Sequence, residues 1–357
     1  MKVLLIIGNL PKTSPYISYY INVFKEHGID YDIVAWNREG EDYVAESNCY
    51  VYDKKSSQLL PSYKKIIDMI RYSGYIKSII KKNNYDAYVV YTVAISVFLY
   101  GFLKRHKKKY IIDVRDYSPL LRKKFFNKRF TFLCKNSLLN CISSLGFRKW
   151  LPEDCDYVLC HNVNKQLLTE AVVFTSFKHH SPIRVLTIGQ IRDSLTNADI
   201  LKALSNLKDI EVYFSGRGGA IPYLKNVASD EKIENVHFTG SYDKSEELNI
   251  VSDSDIVNCI LPNNILSNYL MSNRLYTSVL SRRPIVVRCK TTQAYYVQKY
   301  KLGFVVDNIQ NLHKDIVDYL TSFNYDEYDK GCRSFLLDVK DDVLNFERTL
   351  YSNLSNI

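Results

Sequence analysis

The sequence predicts an α/β protein of two consecutive Rossmann-like domains, each doubly wound around a parallel sheet. Short apolar runs such as Val3-Leu4-Leu5-Ile6-Ile7 recur along the chain, with the composition of parallel strands buried on both faces. Segments with helical spacing follow them across glycine-bearing or polar loops. The alternation lapses over residues 165–182 and restarts at Arg184, and 357 residues exceed what one hydrophobic core usually serves.

The first series opens at Val3–Ile7, followed by the loop Gly8-Asn9-Leu10-Pro11-Lys12-Thr13. Ser14 reads as an N-cap and Pro15 as the first helical residue, because proline gives up no hydrogen bond there. Tyr16, Ile17, Tyr20, Ile21 and Phe24 share one helix face, Gly28 stops that helix, and Tyr31–Trp36 is the second strand. A helix over 63–80 comes next, then a strand at 87–91, a helix at 95–105 and a strand at 110–114. A helix over about 125–141 and a strand ending near Leu159 complete the first series.

In the second series Arg184–Ile188 is a strand and Gly189-Gln190-Ile191-Arg192 its loop, with a helix over 198–207. The strand Glu211–Phe214 runs into the loop Ser215-Gly216-Arg217-Gly218-Gly219. Val236–Thr239, ending in Gly240, is a strand, and a helix at 246–251 is introduced by Ser245. A strand at 255–260, a polar loop, a helix at 274–280 and a strand at 284–287 follow, and Val343–Leu354 reads as an amphipathic closing helix. The expected division is 1–170, 182–340, and a C-terminal segment 341–357 that crosses back to the first domain.

Composition narrows the class. Hydrophobic residues make up 46% and charged residues 24%, which excludes a disordered chain. The eight cysteines contain no CxxC pair, and no His stands at ligand spacing to a Cys pair, so free thiols in a reducing cytosol are expected and no metal site. Net charge is +10, yet residues 101–150 alone hold fourteen Lys/Arg against Asp113 and Asp116, leaving the rest of the chain slightly acidic. Such a local field attracts a polyanion, either nucleic acid or an anionic membrane. Ala87–Leu103 carries no charge over 17 residues, the lower limit for a spanning helix. It divides into a β-rich half and a helical half, and so reads as a buried strand and helix.

In open parallel sheets ligands sit at the carboxyl ends of the strands, where an anion meets main-chain N–H groups, a helix terminus and a cation. The second domain offers all three: Gly189 with Arg192, the loop from Ser215 through Gly216 and Arg217, and a helix capped by Ser272 or Asn273 and carrying Arg274. Each glycine loop serves equally as an ordinary turn. Residues 256–306 contain no Asp or Glu but hold Arg274, Arg282, Arg283, Arg288, Lys290, Lys299 and Lys301. That composition suits an anionic leaving group or, alternatively, a solvated basic face. In the first domain Asp113-Val114-Arg115-Asp116 ends a strand: an acid there could orient an acceptor hydroxyl and Arg115 could meet a phosphate, while Asp116 serves equally as a helix cap or ion-pair partner. Between residues 120 and 130, Arg122, Lys123, Lys124, Lys128 and Arg129 interleave with Phe125 and Phe126, as in a helix seated on anionic lipid; RNA binding and an ordinary packed helix are the alternatives.

Ser272 to Val287 resembles the donor-domain motif of retaining GT-B glycosyltransferases, in which an Asn/Lys-Leu-Tyr-Glu helix precedes a Gly-Lys-Pro-Ile-Val strand. Asn235–Gly240 with Ser245-Glu246-Glu247-Leu248 and Ser254-Asp255-Ile256 resembles the block before it. Val185–Gly189 and Gly303–Val306 resemble the first and a late strand of that domain, and Val3–Trp36 is similar to capsule and exopolysaccharide members. The resemblance implies a GT-B fold, two Rossmann-like domains facing a cleft, and transfer of a sugar from a UDP- or GDP-linked donor with retention and without a metal or other cofactor.

By the same resemblance the donor site comprises Gly189, Gln190, Ser215, Gly216, Arg217, Ser241, Ser272, Asn273, Tyr276 and Thr277, with Arg192 and Arg274 offsetting diphosphate charge and Asp116 beside them in catalysis. Asn9, Arg115, Ser144, His161 and Asn162 would line the acceptor side. Two departures stand out: Thr277 occupies the place of one family carboxylate and Tyr269 lies near the other, and Gln190 replaces a usual Arg. The implied acceptor is a glycan on polyprenyl diphosphate, met at the inner face of the cell membrane by a peripheral cytoplasmic enzyme of surface-polysaccharide assembly. Nucleic acid is set aside as a partner, because the positive charge is confined to one edge of one domain. The alternatives are a non-catalytic partner subunit on the same fold and a sugar-nucleotide epimerase.

Overall fold

The computed structural model describes residues 1–14, 16–56, 61–163, 165–169, 177 and 179–357. The chain divides into two compact units, Met1–Asn164 with Asp341–Ile357, and Lys165–Lys340. Among the described residues each unit is built on one parallel sheet.

The first unit contains β1 (Lys2–Ile6), β2 (Asp30–Asn37), β3 (Cys49–Asp53), β4 (Ala87–Tyr91), β5 (Tyr110–Val114), β6 (Leu139–Ile142) and β7 (Val158–Leu159). Their order across the sheet is β3-β2-β1-β4-β5-β6-β7, so the winding reverses between β1 and β4. Val3 to Ile7 and Ala87 to Tyr91 lie in the core, as apolar runs covered on both faces must. Tyrosine supplies much of this interior, since its ring fills volume while its hydroxyl can reach a backbone acceptor. Tyr110 donates to Leu133 O at 2.8 Å and Tyr72 to Val34 O at 3.2 Å.

The second unit contains β8 (Ile183–Gln190), β9 (Ile210–Arg217), β10 (Val236–Gly240), β11 (Ile256–Cys259), β12 (Ile285–Arg288) and β13 (Gly303–Val306). The order is β10-β9-β8-β11-β12-β13, with the reversal between β8 and β11. One helix, Tyr325–Leu354, runs from this unit into the first. Phe335 packs on Tyr276 and Tyr300 in the second unit, and Phe346 packs edge-on against Tyr20 in the first.

Several expected elements are corrected. The first helix starts at Ile17, beyond Ser14, whose side chain accepts from the Tyr16 hydroxyl instead of capping; Pro15 lies outside the described residues. The expected 95–105 helix is two short ones, Val93–Phe98 and Tyr100–Leu103. The 125–141 helix ends at Lys135, because Asn136 and Ser137 turn their side chains onto Phe132 O and Cys134 O; β6 then occupies Leu139–Ile142. The closing helix begins at Tyr325 rather than Val343. Of the expected linker, Lys165–Thr169 is a short helix and much of the rest lies outside the described residues. Ala87–Leu103 is a strand and two helices, and among the described residues no helix is long and apolar enough to cross a membrane.

Candidate functional site

The strand tips of the second unit gather residues from four segments. β8 and β9 remain paired through Gly189–Gly216 and Gln190–Arg217, so Gly189, Ser215, Gly216 and Arg217 are strand residues and not the loops expected. The two glycines are there for close approach. At Gly216 (φ +134°) a Cβ would stand 2.0 Å from Gly189 O, and at Gly218 it would stand 2.0 Å from Ile191 O. Gln190, the last residue of β8, and Arg192 just beyond it are exposed, and Arg192 Nε donates to Gln190 Oε1 at 2.6 Å.

Ser272 caps the helix Asn273–Leu280 by accepting from Arg274 N at 3.3 Å. Arg274 itself is turned onto the backbone: Nε donates to Ile188 O at 2.6 Å, and the terminal nitrogens reach Gln190 O at 3.3 Å and Asn258 O at 3.4 Å. Its guanidinium therefore clamps the ends of β8 and β11, and burial lowers its pKa from the usual arginine value. The cation is present at the strand tips, but its donors are engaged by carbonyls.

The acid-free window does not make an acid-free site. Glu247, from the helix Glu247–Ser252, accepts from Thr277 Oγ1 at 3.0 Å, Tyr242 OH at 2.7 Å and Lys244 Nζ at 2.5 Å. The Tyr242 hydroxyl lies 3.7 Å from where a Cβ on Gly189 would be. Burial pushes the Tyr242 phenol up, with the Glu247 carboxylate adding to it. Several of the window's cations are likewise bound by acids or carbonyls from elsewhere. Arg282 pairs with Asp329 at 2.6 Å, Arg283 donates to Ser252 O at 2.9 Å, Arg288 donates to Leu261 O at 2.8 Å, and Lys301 pairs with Glu327. Neither a cleft free of carboxylates nor the alternative of a wholly solvated basic face describes this window, since several of its cations are paired within the fold. Tyr276 is buried against Phe335 and serves the core.

A pocket of about 280 Å³ runs along the sheet face beside these residues. At the strand tips it is lined by Ser215, Thr239, Ser241 and Tyr242, and towards the strand starts by Arg184 and Asp253. Ser215 Oγ and Thr239 Oγ1 share a hydrogen bond of 2.7 Å. Among the described residues no group of three His, Cys, Asp or Glu is placed to hold a metal ion.

The strand tips of the first unit are built differently. Arg115 is buried and forms a fork with Asp113, Nε to Oδ1 at 2.6 Å and a terminal nitrogen to Oδ2 at 2.7 Å. Its other terminal nitrogen donates to Cys160 O at 2.9 Å, and Tyr20 OH donates to the same carboxylate at 2.7 Å. Burial opposes the Arg115 charge, but Asp113 more than offsets it and the pKa stands well above the ordinary arginine value. The expectation that Arg115 meets an acceptor phosphate is therefore corrected: it is an internal ion paired with Asp113 and bonded to Cys160. Ser144 is buried and caps a short turn through Gly146 N at 3.2 Å. His161 is buried and bonded to Asp342 of the long helix at 3.0 Å, which was not foreseeable across 181 residues of sequence. Asn162 is half-buried, whereas Asn9 and Asp116 are exposed at the ends of β1 and β5.

The basic segment is a helix, Lys124–Lys135, preceded by a turn over Pro119–Arg122. Phe130, Leu133 and Cys134 are in the core and Phe126 is half-buried, so only part of the aromatic set faces outward. Phe125 is 57% exposed and carries Arg129 over its ring at 3.9 Å. Arg122, Lys123, Lys124 and Lys128 are exposed around it.

No family model matches the chain, and no curated protein matches it by sequence. Its fold is nevertheless shared with solved structures. Sucrose-phosphate synthase from Thermosynechococcus elongatus is 12% identical, with 100% of this chain and 99% of that one covered at a TM-score of 0.74. A UDP-forming α,α-trehalose-phosphate synthase from Burkholderia xenovorans is 10% identical, with 100% and 99% covered and a TM-score of 0.70. Anabaena HepE in complex with UDP is 12% identical, with 100% of both chains covered and a TM-score of 0.67. The chain accordingly has the GT-B fold of two Rossmann-like domains.

Proposed function

We propose that this protein is a glycosyltransferase that takes a sugar from a UDP- or GDP-linked donor held by the second unit. The observation that carries the reading is the convergence at the β8 and β11 tips of Gly189, a Ser272-capped helix, exposed Arg192 and the adjoining pocket. The base would occupy the pocket end lined by Ser215, Ser241 and Tyr242, and the diphosphate would lie towards Gly189, Gln190, Arg192 and the N–H groups at Asn273. Two structures of the same fold support it in kind, one named as UDP-forming and one holding UDP.

We further assign Asp116, after β5, to orienting the acceptor hydroxyl, Asn9 and Asn162, after β1 and β7, to the acceptor side, and transfer with retention and without a metal. The acceptor is proposed to be a glycan on polyprenyl diphosphate, because exposed Phe125 among Arg122, Lys123, Lys124, Lys128 and Arg129 suits an anionic membrane face. On this reading the enzyme acts in surface-polysaccharide assembly at the inner face of the membrane.

The test is thermal denaturation with UDP, GDP, CMP and their common sugars, using Arg192→Ala as the control. Arg192 is exposed, whereas truncating Arg274 would release β8 from β11. Stabilisation by one nucleotide, reduced in the control, together with turnover of its sugar, is the expected result. Nucleotide binding without transfer to any lipid-linked acceptor would favour a non-catalytic partner subunit, and no stabilisation by any nucleotide would end the donor reading.

A further inference from the structure

We infer that Cys155 and Cys134 form a redox-modification site, at which Cys155 attacks a peroxide and Cys134 closes the product to an intramolecular disulfide. The site lies outside the donor and acceptor residues named above and does not depend on the transfer reaction.

The two thiols come from the end of the helix Lys124–Lys135 and from the turn that leads into β7, 21 residues apart in the chain. A hydrogen bond joins them, and the Tyr157 hydroxyl bonds to both. Contacts on either side hold the two backbones together. Asp154, just before Cys155, pairs with Lys135 at 3.1 Å. Asp156, just after it, accepts from Asn140 Nδ2 through its carbonyl at 3.2 Å, and the same nitrogen donates to Cys134 O at 3.0 Å. Both chain neighbours of Cys155 are thereby tied to the helix end, so side-chain rotation suffices to bring the sulfurs to a bond of about 2.0 Å.

The pair is asymmetric, as stepwise oxidation requires. Cys155 is half-buried, whereas Cys134 is 4% exposed. The hydrogen bond from Cys134, with help from Lys135, holds the Cys155 thiol at about 7, so much of it is thiolate at neutral pH. Burial keeps the Cys134 thiol well above its ordinary value, and it remains a protonated donor. The Cys155 thiolate attacks the terminal oxygen of a hydroperoxide, which keeps its hydrogen. The O–O bond breaks, and the departing alkoxide or hydroxide takes a proton from water, leaving a sulfenic acid. The Cys134 sulfur then attacks the sulfenic sulfur, and its proton leaves with the hydroxyl as water. Two thiols and one hydroperoxide thus give a disulfide, an alcohol or water, and a second water. No other cysteine shares this setting: the rest are buried, apart from Cys289, whose thiol is raised by its hydrogen bond to Asp307.

The test exposes the reduced full-length protein to hydrogen peroxide at pH 7, blocks the remaining thiols with iodoacetamide in denaturant, and maps the peptides by mass. One new crosslink is expected, Cys134 to Cys155, reversed by dithiothreitol, with Cys160 and Cys289 recovered alkylated. Cys134→Ala should stop at the sulfenic acid, giving a dimedone adduct on Cys155 that the native protein lacks. Cys155→Ala should leave Cys134 unoxidised, because the buried thiol does not react first. Oxidation of Cys155 in the native protein without a bond to Cys134 overturns the assignment, as does a Cys155 that peroxide leaves untouched. Dimedone capture on Cys155 to the same extent with and without Cys134 overturns it too. The native map needs no variant to fold, so it decides the matter even where Cys134→Ala is unstable.

Discussion

The two units put polar side chains at the same topological place, the carboxyl ends of parallel strands beside the sheet's reversal, and use them in opposite ways. In the first unit Asp113, Arg115, Tyr20 and Cys160 answer one another in the interior, and His161 is closed by Asp342. In the second, Gln190 and Arg192 stay exposed, Glu247 is poised by two hydroxyls, and a pocket opens beside them. Residue type at a strand tip therefore does not separate a binding group from a structural one. What separates them is whether the partners of each donor and acceptor already lie within the fold.

The harshest test of that contrast is Asp113→Asn. If the first unit's tip is a closed structural ion pair, removing one charge leaves Arg115 buried without compensation, at a cost of about 3–5 kcal/mol. Urea unfolding should show this loss, and replacing Asp113 and Arg115 together by apolar residues of similar size should cost much less. A variant of native stability would mean that Arg115 can turn outward, and the contrast between the units would fail.

Gly216→Ala attacks the other side. The new Cβ would overlap Gly189 O at a φ that side chains rarely adopt, so β8 and β9 must part at their tips. A loss of about 1–3 kcal/mol is expected from the backbone strain, read as a lower unfolding midpoint, together with weaker nucleotide binding. Gly28→Ala is the comparison, since it also has positive φ but nothing within 4 Å of the added carbon. A similar stability loss in both with nucleotide binding impaired only by Gly216→Ala would tie that strand tip to the donor site.

The frame of both sheets was legible because its signal is local: buried apolar runs such as Val3–Ile7 and the strand-to-glycine step at Gly189 declare themselves within a few residues. β3 was missed because it is a short edge strand whose Cys-Tyr-Val-Tyr-Asp is only half-buried, and β6 because Leu138, Leu139 and Cys141 continue a helical spacing past the polar stop at Asn136. Ser215 to Arg217 read as a loop, since nothing in that stretch reveals that its glycine is demanded by a neighbouring strand. The site was less legible than the frame for the same reason. A run of 51 residues without acids looked cationic, but Asp329, Glu327 and Glu247 reach its side chains from outside it. Glu247, thirty residues earlier in the chain, accepts from the Thr277 hydroxyl.

The mildest probe leaves the fold intact and asks whether the first unit's strand tip excludes solvent. Cys160, beside Arg115, is buried and pushed up to about 11 by that burial, so at neutral pH it is a thiol out of reach. Cys155, partly exposed in the same unit, is held at about 7 by a hydrogen bond from Cys134 with help from Lys135. The sign follows: a lowered thiol pKa means more thiolate, and thiolate is what iodoacetamide attacks. Native protein at pH 7 should be alkylated first at Cys155, with a rate that rises through a midpoint near 7 and falls about tenfold per pH unit well below it. Cys160 should remain unmodified by peptide mass analysis until denaturant is added. Alkylation of Cys160 in the native protein at a rate near that of Cys155 would show the Asp113–Arg115 cluster open to solvent. The two units would then differ in degree of closure rather than in kind, and Arg115 would return as a group able to meet a ligand.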